Sequence, residues 1–444
     1  MFSKILIANR GEIAIRVIRA CKEMGIASVA VFSEADRESL HVSLADESYC
    51  IGGPLSKDSY LNIDAVLSAA MASKAEAIHP GYGFLSENAE FAKKCVDNGI
   101  VFIGPDAVTI SQMGDKDMAR KTMIDAGVPV IPGCELVESA EHAKAEAERI
   151  GFPLLIKARS GGGGRGIRHV NSMDELEQCY NTATAEATAA FGDGAVYMEK
   201  FLFPVKHIEM QLLADNFGNV VCLGERDCST QRKNQKLIEE SPAVLLSDET
   251  RKRMIDVSVM AGASVGYRGA GTIEYLYDMD GNFYFMEMNT RLQVEHPVTE
   301  MVTLIDLVKW QIRVASGLKL DFSQDEIRFS GHAIECRINA EDPYQDFRPS
   351  GGKVELLHVP SGPWVRFDSA IYHGYTIPPF YDSMIGKLIV YAKTRDEAIR
   401  KMKAALCELI IEGVVNTASF QTELLSTKEF VDSTYTTDFL TAHI

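Results

Sequence analysis

The chain of 444 residues has no C-x-x-C pair, and its nine cysteines are odd in number and scattered. That pattern speaks against a disulfide framework or a structural zinc cluster and favours a reducing compartment. No apolar run approaches the ~20 residues that span a bilayer. Met1 to Arg10 runs straight into a strand-like stretch, without the pattern of a secretory leader. Positive charge is also scarce. Against 62 Asp and Glu stand 45 Lys and Arg, leaving a formal charge of −17. A nucleic-acid coat or an anionic-membrane binder needs the opposite balance. A small anionic substrate remains compatible, because a site can be locally positive on an acidic protein. There is no internal repeat and no low-complexity tail. What is present is ordinary for a globular enzyme: 46% hydrophobic and 24% charged residues. Length suggests about three domains at roughly 150 residues each, and the expectation is a cytoplasmic multidomain enzyme.

The first segment alternates strands and helices. Lys4 to Ala8 is a short apolar run; Ile13, Val17, Cys21 and Met24 then recur at helical spacing, Gly25 closes the helix, and Ala27 to Phe32 reads as the next strand. The same alternation continues to Ile103 and predicts a parallel sheet covered on both faces. The turn after the first strand carries Gly11 alone. It lacks the G-x-G-x-x-G through which a dinucleotide pyrophosphate approaches the backbone, so a structural or substrate-side domain is the better expectation. Two Pro and two Gly among residues 127–133 predict a linker. A smaller unit follows to about Phe203, with a helix from Ala140 to Ile150, and mixed strands and helices run from Lys206 onward.

Phe152 to Lys157 and Ile167 to Val170 predict two strands around Ser160-Gly161-Gly162-Gly163-Gly164-Arg165-Gly166. The loop is not a Walker motif, since Gly166 is followed by Ile167 rather than by Lys and a helix. Successive backbone N–H groups without Cβ atoms can nonetheless turn inward as an anion-binding nest, with Lys157 and Arg165 supplying charge. A hairpin tip without ligand is the plainer alternative.

Gly271 to Asn289 carries the clearest chemistry. Asp280-Gly281 is a strong two-residue turn signal. With that turn, Met279 pairs with Asn282 and Glu274 faces Glu287. Opposed like charges destabilise a sheet unless a cation lies between them. Asn289 adds a third oxygen on the same face, a donor set suited to Mg²⁺ or Mn²⁺ rather than zinc. Were the chain to stay extended, Glu287, Asn289, Arg291, Gln293 and Glu295 would form one stripe until Pro297 breaks it. Arg291 would suit an oxyanion held bidentately, and Glu295 could take a proton from it. An Arg291–Glu295 salt bridge is the competing reading. Lys236 could likewise pair with Glu239 or Glu240, and Arg337 with Glu335 or Glu341.

Four stretches carry a resemblance: His79-Pro80-Gly81-Tyr82-Gly83-Phe84-Leu85-Ser86-Glu87-Asn88, Glu225-Arg226-Asp227-Cys228-Ser229, Glu287 to Pro297, and Glu335-Cys336-Arg337-Ile338-Asn339-Ala340-Glu341. They resemble biotin carboxylase, of the ATP-grasp superfamily, over essentially the whole chain. The resemblance implies an α/β chain, α+β overall. Its expected parts are a Rossmann-like N-terminal parallel-sheet domain (1–114), a connecting helix and linker (115–130), a mobile lid with the glycine loop (131–203) and a C-terminal mixed domain (204–444). It implies a ligase that uses ATP and bicarbonate to carboxylate biotin through carboxyphosphate. In the family's pattern Lys116, Lys157, Gly163, Gly164, Glu199, Lys200, Phe201, Leu202, His207, Gln231, Asn234, Glu274, Leu276 and Glu287 match nucleotide contacts. Glu274, Glu287 and Asn289 match ligands of Mg²⁺ or Mn²⁺, with two ions expected. Lys236, Arg291, Gln293, Val294 and Glu295 match the bicarbonate site, with Glu295 as base. Arg337 matches the group that stabilises the biotin enolate, and Tyr82 lies near the ureido ring.

Some positions depart from the family's pattern. Asn234 stands where His is common, Arg159-Ser160 replaces one more Gly before the loop, and Pro363-Trp364 replaces a turn near Arg366, in a region the family uses with Arg16, Arg19 and Glu23 for dimer contact. The chain has no Met-Lys-Met setting for its own biotin and no length for a carboxyltransferase domain. The implied partners are therefore a biotin carboxyl carrier protein, carboxyltransferase subunits and a second copy of the chain, with no nucleic acid or membrane. The expected setting is a bacterial acetyl-CoA carboxylase feeding fatty-acid synthesis; a pyruvate, propionyl-CoA or other acyl-CoA carboxylase is the alternative. A carboxylate–amine ligase of the same superfamily would keep the metal ligands but not need Arg291, Glu295 and Arg337. A nucleotide sensor would lose the acidic ligands.

Overall fold

The computed structural model describes residues 1–158 and 167–443. The chain divides into two compact units. The first comprises Met1–Val128, Lys206–Tyr275 and Glu287–Ile444, and the second Pro129–Val205 with Leu276–Met286.

The first unit opens with a five-stranded parallel sheet, in the order Glu47–Cys50, Ala27–Phe32, Lys4–Ile7, Ala77–His79, Val101–Phe102. Its central strand is fully buried at Ile5, Leu6 and Ile7, as a sheet covered on both faces requires. Gly11 starts the following helix, Gly11–Glu23, at φ 65°, a left-handed conformation that glycine adopts without a Cβ penalty. That helix buries Ile13, Ala14, Val17, Ile18 and Cys21, the 3.6-residue stripe expected of an amphipathic helix.

An eight-stranded sheet forms the rest of this unit's framework, and Val205–Ala214, Val220–Arg232, Gln235–Ser241, His332–Asn339, Met384–Ala392 and Val365–Ser369 follow one another antiparallel across it. Alternation divides the work of its strands. On His332–Asn339, Ile334, Cys336 and Ile338 enter the hydrophobic core, while Glu335 and Arg337 face the other way. Gln235–Ser241 does the same with two consecutive carboxylates. Glu239 pairs in register with Glu335 and bonds Arg337 at 2.6 Å. Glu240, on the opposite side, is held by His332 at 2.6 Å, Arg395 at 2.7 Å and Tyr435 at 2.5 Å. Removing one cationic partner of a buried carboxylate costs about 3–5 kcal/mol, so this hub clamps the C-terminal helices to the sheet.

In the second unit a four-stranded sheet runs Gly133–Val137, Val196–Lys200, Leu154–Ala158, Ile167–Val170, with the helices Ala140–Ile150 and Met173–Phe191. The two strands expected around the glycine loop pair antiparallel, Lys157 opposite Ile167; Arg159 to Gly166, and with them Gly163, Gly164 and Arg165, lie outside the described residues. Val130 bridges to Phe285 in this unit, and the expected 127–133 linker ends where Gly133 enters its strand. All nine cysteines are free. No helix among the described residues is long and apolar enough to cross a membrane.

Candidate active site

Glu274 is the hub of the first unit's polar cluster. It lies buried on the strand Gly269–Asp278. One oxygen accepts from Lys236 at 3.1 Å, from the Asn289 amide at 2.9 Å and from the Gln293 amide at 2.9 Å. The other sits 2.9 Å from His207 Nε2. Burial opposes its ionisation, but Lys236 and His207 outweigh it and hold the carboxyl well below its ordinary range. His207 is pushed the other way, toward the charged form, by the Glu274 charge despite its own burial.

The hairpin reaches this arrangement by a route different from the expected one. The Asp278 N–H donates to Asn282 O at 2.9 Å and the Gly281 N–H to Asp278 O at 3.3 Å, with Gly281 at φ 85°. The loop is therefore three residues long, Met279 to Gly281, so Met279 does not pair with Asn282 as a two-residue turn requires. Asp278 sets the longer loop by accepting the N–H groups of Asp280 and Asn282 with its side chain. Carried along the strands, this register would place Glu274 opposite Met286. The burial alternation then breaks: Phe283 and Phe285 are buried, Met286 and Glu287 are both exposed, and Met288 is buried again. Glu287 ends near its expected neighbour. Enclosure by protein raises its pKa first, and the Glu274 carboxylate raises it further, partly offset by Lys116 and Lys236.

The extended stripe does not continue to Glu295. The strand ends at Asn289, and Pro297 lies in the first turn of the helix His296–Thr303 instead of breaking a strand. The side chains still gather, through hydrogen bonds rather than strand parity. Arg291 bonds Glu87 at 2.8 Å, Gln293 Oε1 at 2.8 Å and Asn289 Oδ1 at 2.9 Å. It forms no salt bridge to Glu295, which the competing reading required. Glu295, fully buried, is held by Lys236 at 2.8 Å on one oxygen and Arg337 at 2.9 Å on the other. Burial works against its charge, yet Lys236, Arg337 and Arg226 together keep it well below the usual carboxylate range. Lys236 thus joins Glu209, Glu274 and Glu295, not Glu239 or Glu240, and Arg337 joins Glu239 and Glu295, not Glu335 or Glu341.

Among the described residues, the remaining candidates form no hydrogen bond to Glu274 or Glu295. Gln231 pairs in register with Lys236. Lys116 is exposed in the first turn of the helix Lys116–Asp125. Asn234 forms the exposed tip between Arg232 and Gln235, where Lys233 and Asn234 take φ 47° and 65°. A two-residue turn with both central residues left-handed favours Asn, which gives the departure from His a local reason. Tyr82 donates its hydroxyl to Glu12, and Val294 offers its carbonyl to Lys387 at 2.6 Å. In the second unit Lys157 pairs with Glu199, Lys200 caps the Phe152 carbonyl at 2.7 Å, Phe201 stacks on Phe203 and meets His169 edge-on, and Leu202 and Leu276 are half-buried.

Sequence reasoning missed several participants. Glu209 lies between Lys236 and a fully buried Arg226, which also bonds Gln211 and Thr299. His207, Glu209 and Gln211 occupy alternate positions of one strand, and that parity was the available signal. Glu87 stood out only as part of a motif, with no role of its own.

Lys236 now occupies the carboxylates that a divalent cation would also attract. Ligand atoms of His207, Glu209 and Glu274 come within 4.8 Å of one another, and Glu287, raised by its carboxylate neighbour, gains from any cation placed between them. By donor type Glu274, Glu287 and Asn289 suit Mg²⁺ or Mn²⁺, but here the Asn289 amide nitrogen faces Glu274 while its Oδ1 accepts from Arg291.

Known families match this chain along most of its length. Residues 1–110 match the biotin carboxylase N-terminal domain, 115–323 the carbamoyl-phosphate synthase L chain ATP-binding domain, and 335–442 the biotin carboxylase C-terminal domain. Biotin carboxylase 1 of Bacillus subtilis is 54% identical over 442 residues, covering 99% of this chain and 98% of its own. One of the pyruvate carboxylase subunits of Methanothermobacter thermautotrophicus is 53% identical over 97% of this chain and 88% of its own. The biotin carboxylase domain dimer of Hydrogenobacter thermophilus 2-oxoglutarate carboxylase, solved with MgADP, ADP and bicarbonate, superposes with a TM-score of 0.91 at 50% identity, covering 100% of this chain and 98% of that one.

Proposed function

Because the chain belongs to the biotin carboxylase family, and is accordingly an ATP-dependent carboxylase with an ATP-grasp fold, we propose that it carboxylates biotin on a separate carrier protein as the first half-reaction of a bacterial acetyl-CoA carboxylase. The observation that carries this reading is the hold of Lys236 and Arg337 on the two oxygens of buried Glu295. In this reading bicarbonate docks on Lys236, Arg291, Gln293 and the Val294 backbone. An incoming anion competes with Glu295 for Lys236. Losing that partner lifts the Glu295 pKa, so the carboxylate becomes a better proton acceptor when substrate is present. Arg337, left between Glu239 and Glu295, is the cation placed for the enolate oxygen of biotin, with Tyr82 beside the ureido ring.

ATP supplies the phosphoryl group that turns bicarbonate into carboxyphosphate, a reaction governed by positioning and charge neutralisation. Lys116, His207, Gln231, Asn234, Glu274 and Glu287 of the first unit are proposed nucleotide contacts; taken by itself, the second unit offers Lys157, Glu199, Lys200, Phe201, Leu202 and Leu276 as candidates of the same kind. Glu274, Glu287 and Asn289 would hold Mg²⁺ or Mn²⁺, which neutralises the phosphate charge when bound. The domain reading follows: 1–114 as N-terminal domain, 115–130 as connector, 131–203 as lid and 204–444 as C-terminal domain. Carrier protein, carboxyltransferase subunits and a second copy of the chain are the proposed partners. Service to a pyruvate carboxylase is the second reading, favoured by the similarity to the Methanothermobacter pyruvate carboxylase component.

The test is steady-state ATP cleavage with Mg²⁺. Free biotin and bicarbonate together should stimulate it. Activity indifferent to both but driven by an amine would replace this reading with a carboxylate–amine ligase.

A further inference from the structure

Lys387 is the one charged residue in the apolar strand Met384–Ala392, and its side chain is fully buried. Burying an ammonium is costly unless its surroundings repay it, and none of the roles above uses it. Its Nζ lies 2.6 Å from the Val294 carbonyl oxygen and 3.1 Å from Glu12 Oε1. The same Glu12 oxygen accepts the Tyr82 hydroxyl, and the Tyr82 ring centroid is 6.0 Å from Nζ. Glu12 itself is buried on the helix Gly11–Glu23, and its other oxygen, Oε2, is buried without a hydrogen-bond partner. Across the sheet Lys387 stands opposite Arg337 on one side and Asp368 on the other. The ammonium therefore touches the backbone of the turn that carries Arg291 to Glu295 and, through Glu12, the tyrosine of a separate N-terminal loop.

We propose that Lys387 is a positioning residue that couples the two substrate pockets of this active site, fixing the bicarbonate turn through the Val294 carbonyl and Tyr82 through Glu12. The inference rests on the reading above, in which Val294 and Tyr82 line the bicarbonate and biotin pockets. A purely structural ion pair would pin the first helix to the sheet and affect stability alone. A coupling strut affects substrate recognition at both pockets and leaves the nucleotide unaffected.

The test uses the full chain and measures KM for bicarbonate, free biotin and ATP. Lys387→Met, similar in length but uncharged, should raise KM for bicarbonate and for biotin about tenfold each, with KM for ATP unchanged. Glu12→Gln should raise KM for biotin only, because the Val294 carbonyl keeps its hold on Lys387. Lys387→Arg should recover part of both losses. A folded Lys387→Met with unchanged KM values and a lowered Tm would reduce the pair to a structural contact and overturn the proposal. If Lys387→Met does not fold, Glu12→Gln and Tyr82→Phe form a double-mutant cycle in KM for biotin: non-additive effects support the strut and additive ones overturn it. Arg337→Ala separates the two layers of inference. If it leaves biotin carboxylation intact, the site reading fails; if it impairs carboxylation while Lys387→Met changes no KM, only the strut fails.

Discussion

Arg337 reaches Glu295 at 2.9 Å from a strand whose other face is core, so one guanidinium joins the folded framework to the proposed base. Its second bond, to Glu239 at 2.6 Å, sets the angle at which it can approach that carboxylate.

Arg337→Ala should therefore lower biotin carboxylation about 10²–10³-fold, the usual effect of removing a charge aimed at a developing oxyanion. Bicarbonate-dependent ATP cleavage should fall much less. Parallel assays of phosphate release and carboxybiotin formation check this, and equal losses in both would count against the enolate role. Leaving Glu239 and Glu295 short of a partner should also cost about 3 kcal/mol of stability.

Glu287→Gln bears on the metal. Turnover that depends on Mg²⁺ should drop by about 10²-fold or more, since a metal ligand contributes several kcal/mol to such chemistry. The melting temperature without metal should hold or rise slightly, because the change removes a like charge beside Glu274. Wild-type kinetics in this variant would remove Glu287 from the ligand set.

His41 gives the first unit an acid-sensitive element outside the residues assigned to the site. Burial is the main cause that lowers its pKa to about 4, with the Arg10 charge adding to it and Asp36 opposing. Its Nε2 sits 3.2 Å from the Val31 carbonyl. A histidine near 6.5 when unfolded and 4 when folded binds fewer protons in the native state between those values. Its contribution is full above pH 6.5 and is lost as pH falls toward 4, by about 2 kcal/mol at pH 5. The stability gap between wild type and His41→Gln should narrow by that amount from pH 7 to pH 5 in urea titrations. A constant gap would show that His41 is not the group responsible.

Much of this architecture was legible where local chemistry decided the outcome. The strand Ala27–Phe32 and the helix Ala140–Ile150 lie where their residue patterns put them. The acidic hairpin was legible as chemistry but not as geometry. Asp-Gly marks a turn without fixing its length, and the Asp278 side chain selected three residues over two. The stripe from Glu287 to Glu295 failed because parity holds only while the chain stays extended, and it turns after Asn289. Lys387 escaped notice because it is the one charged residue of a buried strand, and Glu209 because the alternation of His207, Glu209 and Gln211 marks a polar face without naming what that face meets. Their meaning comes from partners 27 and 93 positions away, and no window on the sequence contains those pairs.

The neighbouring carboxylates Glu239 and Glu240 carry one more consequence. They point to opposite faces of the same strand, one to Arg337 and one to His332, Arg395 and Tyr435. Sliding that strand by a single position would seat one of the two carboxylates on the other's partners, so either Arg337 or the group of His332, Arg395 and Tyr435 would be left facing Ile238 or Ser241 instead of a carboxylate. The two adjacent acids thus tie the register of this strand to both faces of the sheet: only the native alignment gives each cation group its own carboxylate.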